Sequence, residues 1–336
     1  MAAKPAVDPV NWNPPKDAGL TGRYAITSRV PVVETWTVPG AGPEDVAVDS
    51  DGRVYTGTVD GRILRLSNRG LTIEQVANTG GRPLGIEIDT DGSLVVCDAH
   101  LGLLRVNPDD GVVTVLVDAA GPQRLTFTNN CDIAADGSVF FTDTSDKFPI
   151  EYFKGDLIEG RPRGRLLKWS PDGSVDVVAE GFRFANGVGL AADDSFVLVN
   201  ETAGYRVSKV WLTGPRAGRT DVIVDNMPGL PDNMSTGNDG IFWIAVPSER
   251  NALLDRTLPK PGFLRKAIWA MPDNLQPEAN RVVLVLGIDG DGNIKHVVHA
   301  PGDAFHYVTG VREHEGWLYL GSLVESAIAR VPVPAG

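Results

Sequence analysis

Four residues with oxygen-bearing side chains stand at matching places in this chain, a fifth stands beside one of them, and their types suit a hard metal ion. Tight acidic turns recur at Asp51-Gly52, Asp91-Gly92, Asp136-Gly137, Asp193-Asp194, Asp239-Gly240 and Glu315-Gly316. Glycine takes the positive φ of such a turn at no steric cost. Eight residues before the last turn residue stand Glu44, Leu84, Asn129, Asn186, Asp232 and Val308. Four of these six carry a carboxylate or an amide, and Asn233 follows Asp232 directly. Together Glu44, Asn129, Asn186, Asp232 and Asn233 form an all-oxygen set. A hard cation taking about six to eight oxygen ligands fits it, which favours one Ca²⁺ over Zn²⁺. Any one of these residues, alone, reads as a turn residue capping backbone amides. At one repeated register the metal reading takes precedence.

The elements that must position this set are short strands. The first copy runs Val46-Ala47-Val48, the turn at Gly52, Val54-Tyr55-Thr56-Gly57, then Gly61 to Leu66. Copies of three or four strands follow, each around its own turn, and six such copies make up the chain. This is the pattern of an all-β chain folded as a six-bladed β-propeller, in which no copy buries its faces alone. The innermost strand of each blade lines the central channel, so equivalent strand starts form a ring at one mouth. Residues 1–31 are rich in proline and aperiodic and read as an N-terminal arm; 32–336 read as one propeller. Val32 to Val38 is expected to supply the outer strand of the last blade and close the ring. The segment Lys147–Pro162 reads as an inserted loop of blade 3. Blade 5 carries a second insert, about 251–275, with helical apolar spacing from Leu264 to Met271. That insert either caps the channel mouth, with Phe148, Tyr152 and Phe153 adding to the same wall, or packs as a helix on the side of the propeller.

Composition excludes several function classes. The net charge of −12 over 336 residues argues against nucleic acid, which needs clustered Lys and Arg, and against an anionic membrane surface. No apolar leader or 18-residue apolar run stands out, so a cytoplasmic protein is expected. Two cysteines, Cys97 and Cys131, are too few for a disulfide framework and are expected as buried free thiols. There is no His-Glu-x-x-His helix, no Gly-x-Ser-x-Gly elbow and no P-loop.

Gly42-Pro43-Glu44-Asp45-Val46, Phe127-Thr128-Asn129, Phe184-Ala185-Asn186-Gly187-Val188, Pro228-Gly229-Leu230-Pro231-Asp232-Asn233 and Glu313 to Leu323 resemble the strictosidine-synthase-like group. That group belongs to the superfamily of gluconolactonases and paraoxonases, and the resemblance covers roughly residues 40–334. It implies a six-bladed propeller with a catalytic Ca²⁺ at the channel mouth, held at Glu44, Asn129, Asn186, Asp232 and Asn233. Two positions depart from the group. Asn130 stands where an Asp is usual, and Thr309 stands where true strictosidine synthases carry a catalytic Glu. Those synthases also lack this calcium set, so an amine–aldehyde condensation is not expected.

A cation with an open face polarises a carbonyl and stabilises the oxyanion formed when water attacks. The reading is therefore a Ca²⁺-dependent hydrolase of a lactone or ester, its small-molecule substrate apolar or aromatic. The base is a ligand carboxylate, Asp232 or Glu44, or a histidine near the mouth, His306 or His100. Two other readings keep the ring. One is a metal-dependent lyase or isomerase of a carbonyl compound; the other is a binding module with a structural Ca²⁺.

Overall fold

The structure is a computed structural model and describes residues 4–31, 34–272 and 279–334. Its strands form a six-bladed β-propeller. Blade 1 consists of Val46–Val48, Val54–Gly57, Arg62–Ser67 and Thr72–Asn78, each antiparallel to the next. Blades 2, 3 and 4 repeat this meander from Pro83 to Val117, Thr128 to Phe182 and Ala185 to Val224. Blade 5 is Met234–Thr236, Ile241–Ala245, Val282–Asp289 and Ile294–Pro301. Blade 6 is Val308–His314, Trp317–Ser322 and Ala327–Pro332, and its outer strand comes from the other end of the chain. Glu34–Thr37 pairs antiparallel with Ala327–Pro332, Glu34 opposite Arg330 and Thr37 opposite Ala327. This is the expected ring closure. Val32 and Val33 lie outside the described residues.

The core is not one mass but a set of seams between blades. Blade 5 shows why. Along its third strand Leu284, Leu286 and Ile288 join the cluster shared with blade 4, while Val283 and Val285 join the one shared with blade 6. A strand buried on both faces needs a continuous apolar run rather than alternation. Val282-Val283-Leu284-Val285-Leu286 is such a run. Comparable clusters join blades 1 and 2, 2 and 3, 3 and 4, and 6 and 1. Cys97 and Cys131 are both free and buried in the seam of blades 2 and 3, as expected.

One expectation needs correction, and the arm takes a definite place. The blade 3 insert is not only a loop: it holds a helix, α1 (Phe153–Glu159), ended by Gly160 in the left-handed region at φ 69°. Seven residues are too few for a helical period to stand out in sequence. The arm before residue 32 is also tied down. Ser28–Arg29 adds a parallel strand to the outer edge of blade 5, and the Val10 and Trp12 amides donate to the Glu159 and Leu258 carbonyls.

The blade 5 insert forms α2 (Ala252–Thr257) and α3 (Gly262–Ala270). The Asn251 side chain caps α2 by accepting from the Leu253 and Leu254 amides. Residues 273–275, the end of the expected insert, lie outside the described residues. Among the described residues no helix is long and apolar enough to cross a membrane.

Candidate metal centre and cavity at the channel mouth

At the start of the inner strands the chain kinks in a repeated way. Pairing shifts register between Pro83 and Ile86, Thr128 and Cys131, Ala185 and Val188, and Val308 and Gly310. A β-bulge there breaks the alternation of side chains, so successive residues can serve the same channel. The upper layer of this channel brings together the five expected ligand residues. Glu44, Asn129, Asn186 and Asp232 line one cavity, and Asn233 joins them through its amide, which donates to both Glu44 oxygens at 3.0 and 3.1 Å.

The amides are oriented by what their nitrogens touch. Asn129 Nδ2 donates to Thr144 Oγ1 at 3.0 Å, and that hydroxyl gives its own proton to the Ala185 carbonyl at 2.7 Å. Asn186 Nδ2 donates to Thr202 Oγ1 at 3.1 Å and Asp232 Oδ1 at 2.5 Å, while Thr202 donates to the Pro231 carbonyl at 2.6 Å. With every nitrogen committed, the Oδ1 atoms of Asn129, Asn186 and Asn233 are left buried without a hydrogen-bond partner. An orphaned buried acceptor costs about 1–3 kcal/mol, so three together call for a cation or ordered water.

The carboxylates point the same way. Burial, with repulsion from Asp232 next, pushes Glu44 up to about 8. Burial also raises Asp232 to about 7, and Asp45 adds repulsion. A positive ion among them would relieve both effects. Among the described residues no group of three or more His, Cys, Asp or Glu gathers as a metal site. The donor set here is instead two carboxylates and three amides, the hard-oxygen chemistry of Ca²⁺.

Below this layer the channel is closed by polar contacts. Asp45 accepts from the Ile86 amide and from Asn130 Nδ2, both at 3.3 Å, and Asn130 Oδ1 accepts from the Val188 amide at 2.8 Å. Lower still, Arg312 of blade 6 pairs with Glu87 of blade 2, and Asp132 accepts from the Leu190 amide at 2.8 Å. Glu44 and Asp232 are thus reached from the mouth.

Most of the rest of the cavity wall is apolar. Leu84, Phe127, Phe184 and Leu230 come from the blades, and Ile150, Phe153 and Leu157 from the blade 3 insert. Phe127 and Phe184 meet edge to face at 5.8 Å. Phe184 and Tyr307, both lining the cavity, hold φ of 61° and 55°. Bulky residues rarely adopt that region, and such strain collects at ligand sites.

This set of folds and residues has relatives. Residues 129–215 match the family model described as Strictosidine synthase, and residues 22–66 the one described as Strictosidine synthase-like, N-terminal. An adipocyte plasma membrane-associated protein of Salmo salar is 36% identical over 307 residues, covering 84% of this chain and 73% of that protein. The strictosidine synthase-like protein 6 of Arabidopsis thaliana is 36% identical over 296 residues, covering 86% of this chain and 78% of its own. The chain belongs to the strictosidine synthase-like family. Among solved structures, a gluconolactonase from Xanthomonas campestris superposes with TM-score 0.64 at 17% identity, covering 99% of each chain. Regucalcin, a calcium-binding protein from Agrobacterium tumefaciens, does so with TM-score 0.63 at 14% identity, over 91% of this chain and 95% of that one. At these identities the likeness is one of fold.

Within this family member, the two departures noted in sequence have clear places. Thr309 lines the cavity, and its hydroxyl donates to the Glu44 carbonyl at 2.7 Å, so it positions a ring residue. Asn130 is the bridge from Asp45 to blade 4 described above. The two candidate histidines do not line the cavity. His100 Nε2 lies 2.6 Å from Glu151 Oε1 at the surface, and His306 Nδ1 faces Glu325. The blade 5 insert contributes no lining residue among those described, so of its two expected places it takes the one outside the cavity. It stands behind α1, with Trp269 of α3 packed edge to face on Phe148 and Tyr152 at 6.3 Å each. Of the three insert aromatics expected in the wall, only Phe153 reaches it.

Sequence reasoning missed Phe127, Phe184 and Tyr307. The first two carried a signal: each stands two places before a ring asparagine.

Proposed function

We propose that this chain is a hydrolase of lactones or esters with apolar substituents, working at a Ca²⁺ held by Glu44, Asn129, Asn186, Asp232 and Asn233. The observation that carries this reading is the trio of buried, partnerless amide oxygens beside two carboxylates at the end of an apolar cavity. When bound, the ion supplies Lewis acidity to a carbonyl oxygen.

The chain's own residues supply the rest. The Leu84, Phe127 and Phe184 side chains take the apolar part of the substrate and exclude bulk water from it. Asp232 is the proposed base. It lines the cavity and is half-buried, and it is held at Oδ1 by the Asn186 amide, a place from which a carboxylate can take a proton from water. Glu44 has the same chemistry, but both its oxygens accept from Asn233. The gluconolactonase and the calcium-binding regucalcin, which share the fold, support this reading.

Aryl acetates and simple lactones serve as test substrates, assayed before and after chelation. The expected result is turnover that chelator abolishes and Ca²⁺ restores. Turnover indifferent to chelator, or its absence with Ca²⁺ bound, would overturn the proposal; the latter would favour the lyase or binding-module alternatives.

A further inference from the structure

The overall charge of −12 hides an uneven distribution. The insert of blade 5 follows that blade's second strand, so it stands on the same face as the starts of the inner strands. On α3, Arg265 and Trp269 face inward, and Phe263, Lys266, Ala267 and Ala270 share the exposed side. Phe263 is 67% exposed and Leu253 of α2 is 49% exposed, with Leu264 beside them. Such large apolar side chains in water, grouped on one insert, mark an interaction surface. Two more exposed valines, Val59 and Val324, sit on the same face, in the loops after the second strands of blades 1 and 6.

Charge selects the partner. Between residues 251 and 272 the exposed ionisable side chains are Arg256, Lys260 and Lys266, all basic. The acid in this stretch, Asp255, is turned inward, accepting from Tyr205 Oη at 2.8 Å and Arg250 Nε at 2.9 Å. Among the described residues of the insert, aromatic and aliphatic tips thus share the surface with exposed cations, on an otherwise acidic molecule, which is the composition of an interfacial helix.

We propose that the α2–α3 insert docks on an anionic lipid surface. Phe263 and Leu253 enter the headgroup–acyl boundary, and Arg256, Lys260 and Lys266 meet the headgroups. The face that docks is the one bearing the channel mouth, so an apolar substrate dissolved in the bilayer would lie next to the cavity. The proposal does not depend on hydrolysis and stands or falls on binding.

The full chain is sedimented with vesicles of phosphatidylcholine alone and of phosphatidylcholine mixed with phosphatidylserine. Wild type is expected to bind the mixed vesicles and to be released by salt. F263E/L253E and R256E/K260E/K266E should each lose this binding while melting like wild type, since every changed side chain is exposed. Each basic residue at such a surface contributes about fivefold, so the triple reversal should weaken binding at least a hundredfold, roughly. No binding by wild type, or equal binding by wild type and both variants, would overturn the proposal. So would a concentration-dependent dimer that F263E/L253E abolishes, which would make this face an interface between copies.

Discussion

Asn186 concentrates the logic of the mouth. Its nitrogen is spent on Thr202 and Asp232, which leaves its oxygen buried and free to meet a cation. Thr202 fixes that orientation because its proton already belongs to the Pro231 carbonyl, so it can only accept from the amide. Removing an outer partner of a ligand typically costs about 10–100-fold in metal affinity. Thr202→Val should therefore weaken Ca²⁺ binding by that range, read by calorimetric titration, with the melting temperature of the calcium-free protein little changed. Affinity equal to wild type would show that Asn186 is not a ligand. The ring was legible because four of its five residues share one offset from a turn. The second layer, Asp45 and Asn130, was not: strict alternation would turn residue 130 away from the channel, and only the bulge between Thr128 and Cys131 brings it back.

Among elements, α1 decides what reaches the ring, and its own footing is unusual. Arg265 of α3 is fully buried and has no carboxylate partner among the described residues; its Nη1 donates to the carbonyls of Val10 and Ile158 at 2.9 and 3.1 Å. It thereby satisfies the carboxyl end of α1, where the helix dipole favours a cation. Within α1, Asp156 is buried, and burial, opposed by a hydrogen bond from Ser145 at 2.6 Å, raises its carboxyl to about 7. In the unfolded chain it titrates near about 4. A group with a raised folded value binds protons in the native state across that window. Its contribution is complete below about pH 4 and is lost as pH rises through about 7. Asp156→Asn removes this loss. The variant should gain on wild type in thermal scans between pH 5 and pH 8, by about 5 °C at the upper end. Parallel curves would contradict the assignment. The apolar helix pattern of the blade 5 insert fits a cap and a helix packed on the propeller's side equally well, so sequence left the two open. Proximity to the mouth is set by which blade an insert leaves, and the packing of α1 against α3 is a tertiary matter.

At the scale of the molecule, the ring holds because its last blade borrows a strand. Glu34–Thr37 covers the edge of Ala327–Pro332, and Trp36 fills the seam between blades 6 and 1 beside Tyr319, ring to ring at 5.8 Å. A protein lacking residues 1–37 would expose that edge and open the seam. Circular dichroism on heating should then show no cooperative transition, whereas a cooperative melt within a few degrees of wild type would show that closure lies elsewhere. The propeller was legible throughout, since six turns and their flanking apolar runs repeat with Val46, Ile86 and Val188 at like places. The arm was less so: its hold on the body is through backbone donors such as the Val10 and Trp12 amides, and backbone groups leave no trace in sequence.

The central claim, that the mouth is a calcium centre, is tested most directly by the metal content of the purified chain. Elemental analysis of protein never exposed to chelator should find one Ca²⁺ per chain, and the same preparation of Asp232→Asn should hold less than a tenth as much. A chain without any divalent metal, or a variant that keeps its calcium, would contradict the account.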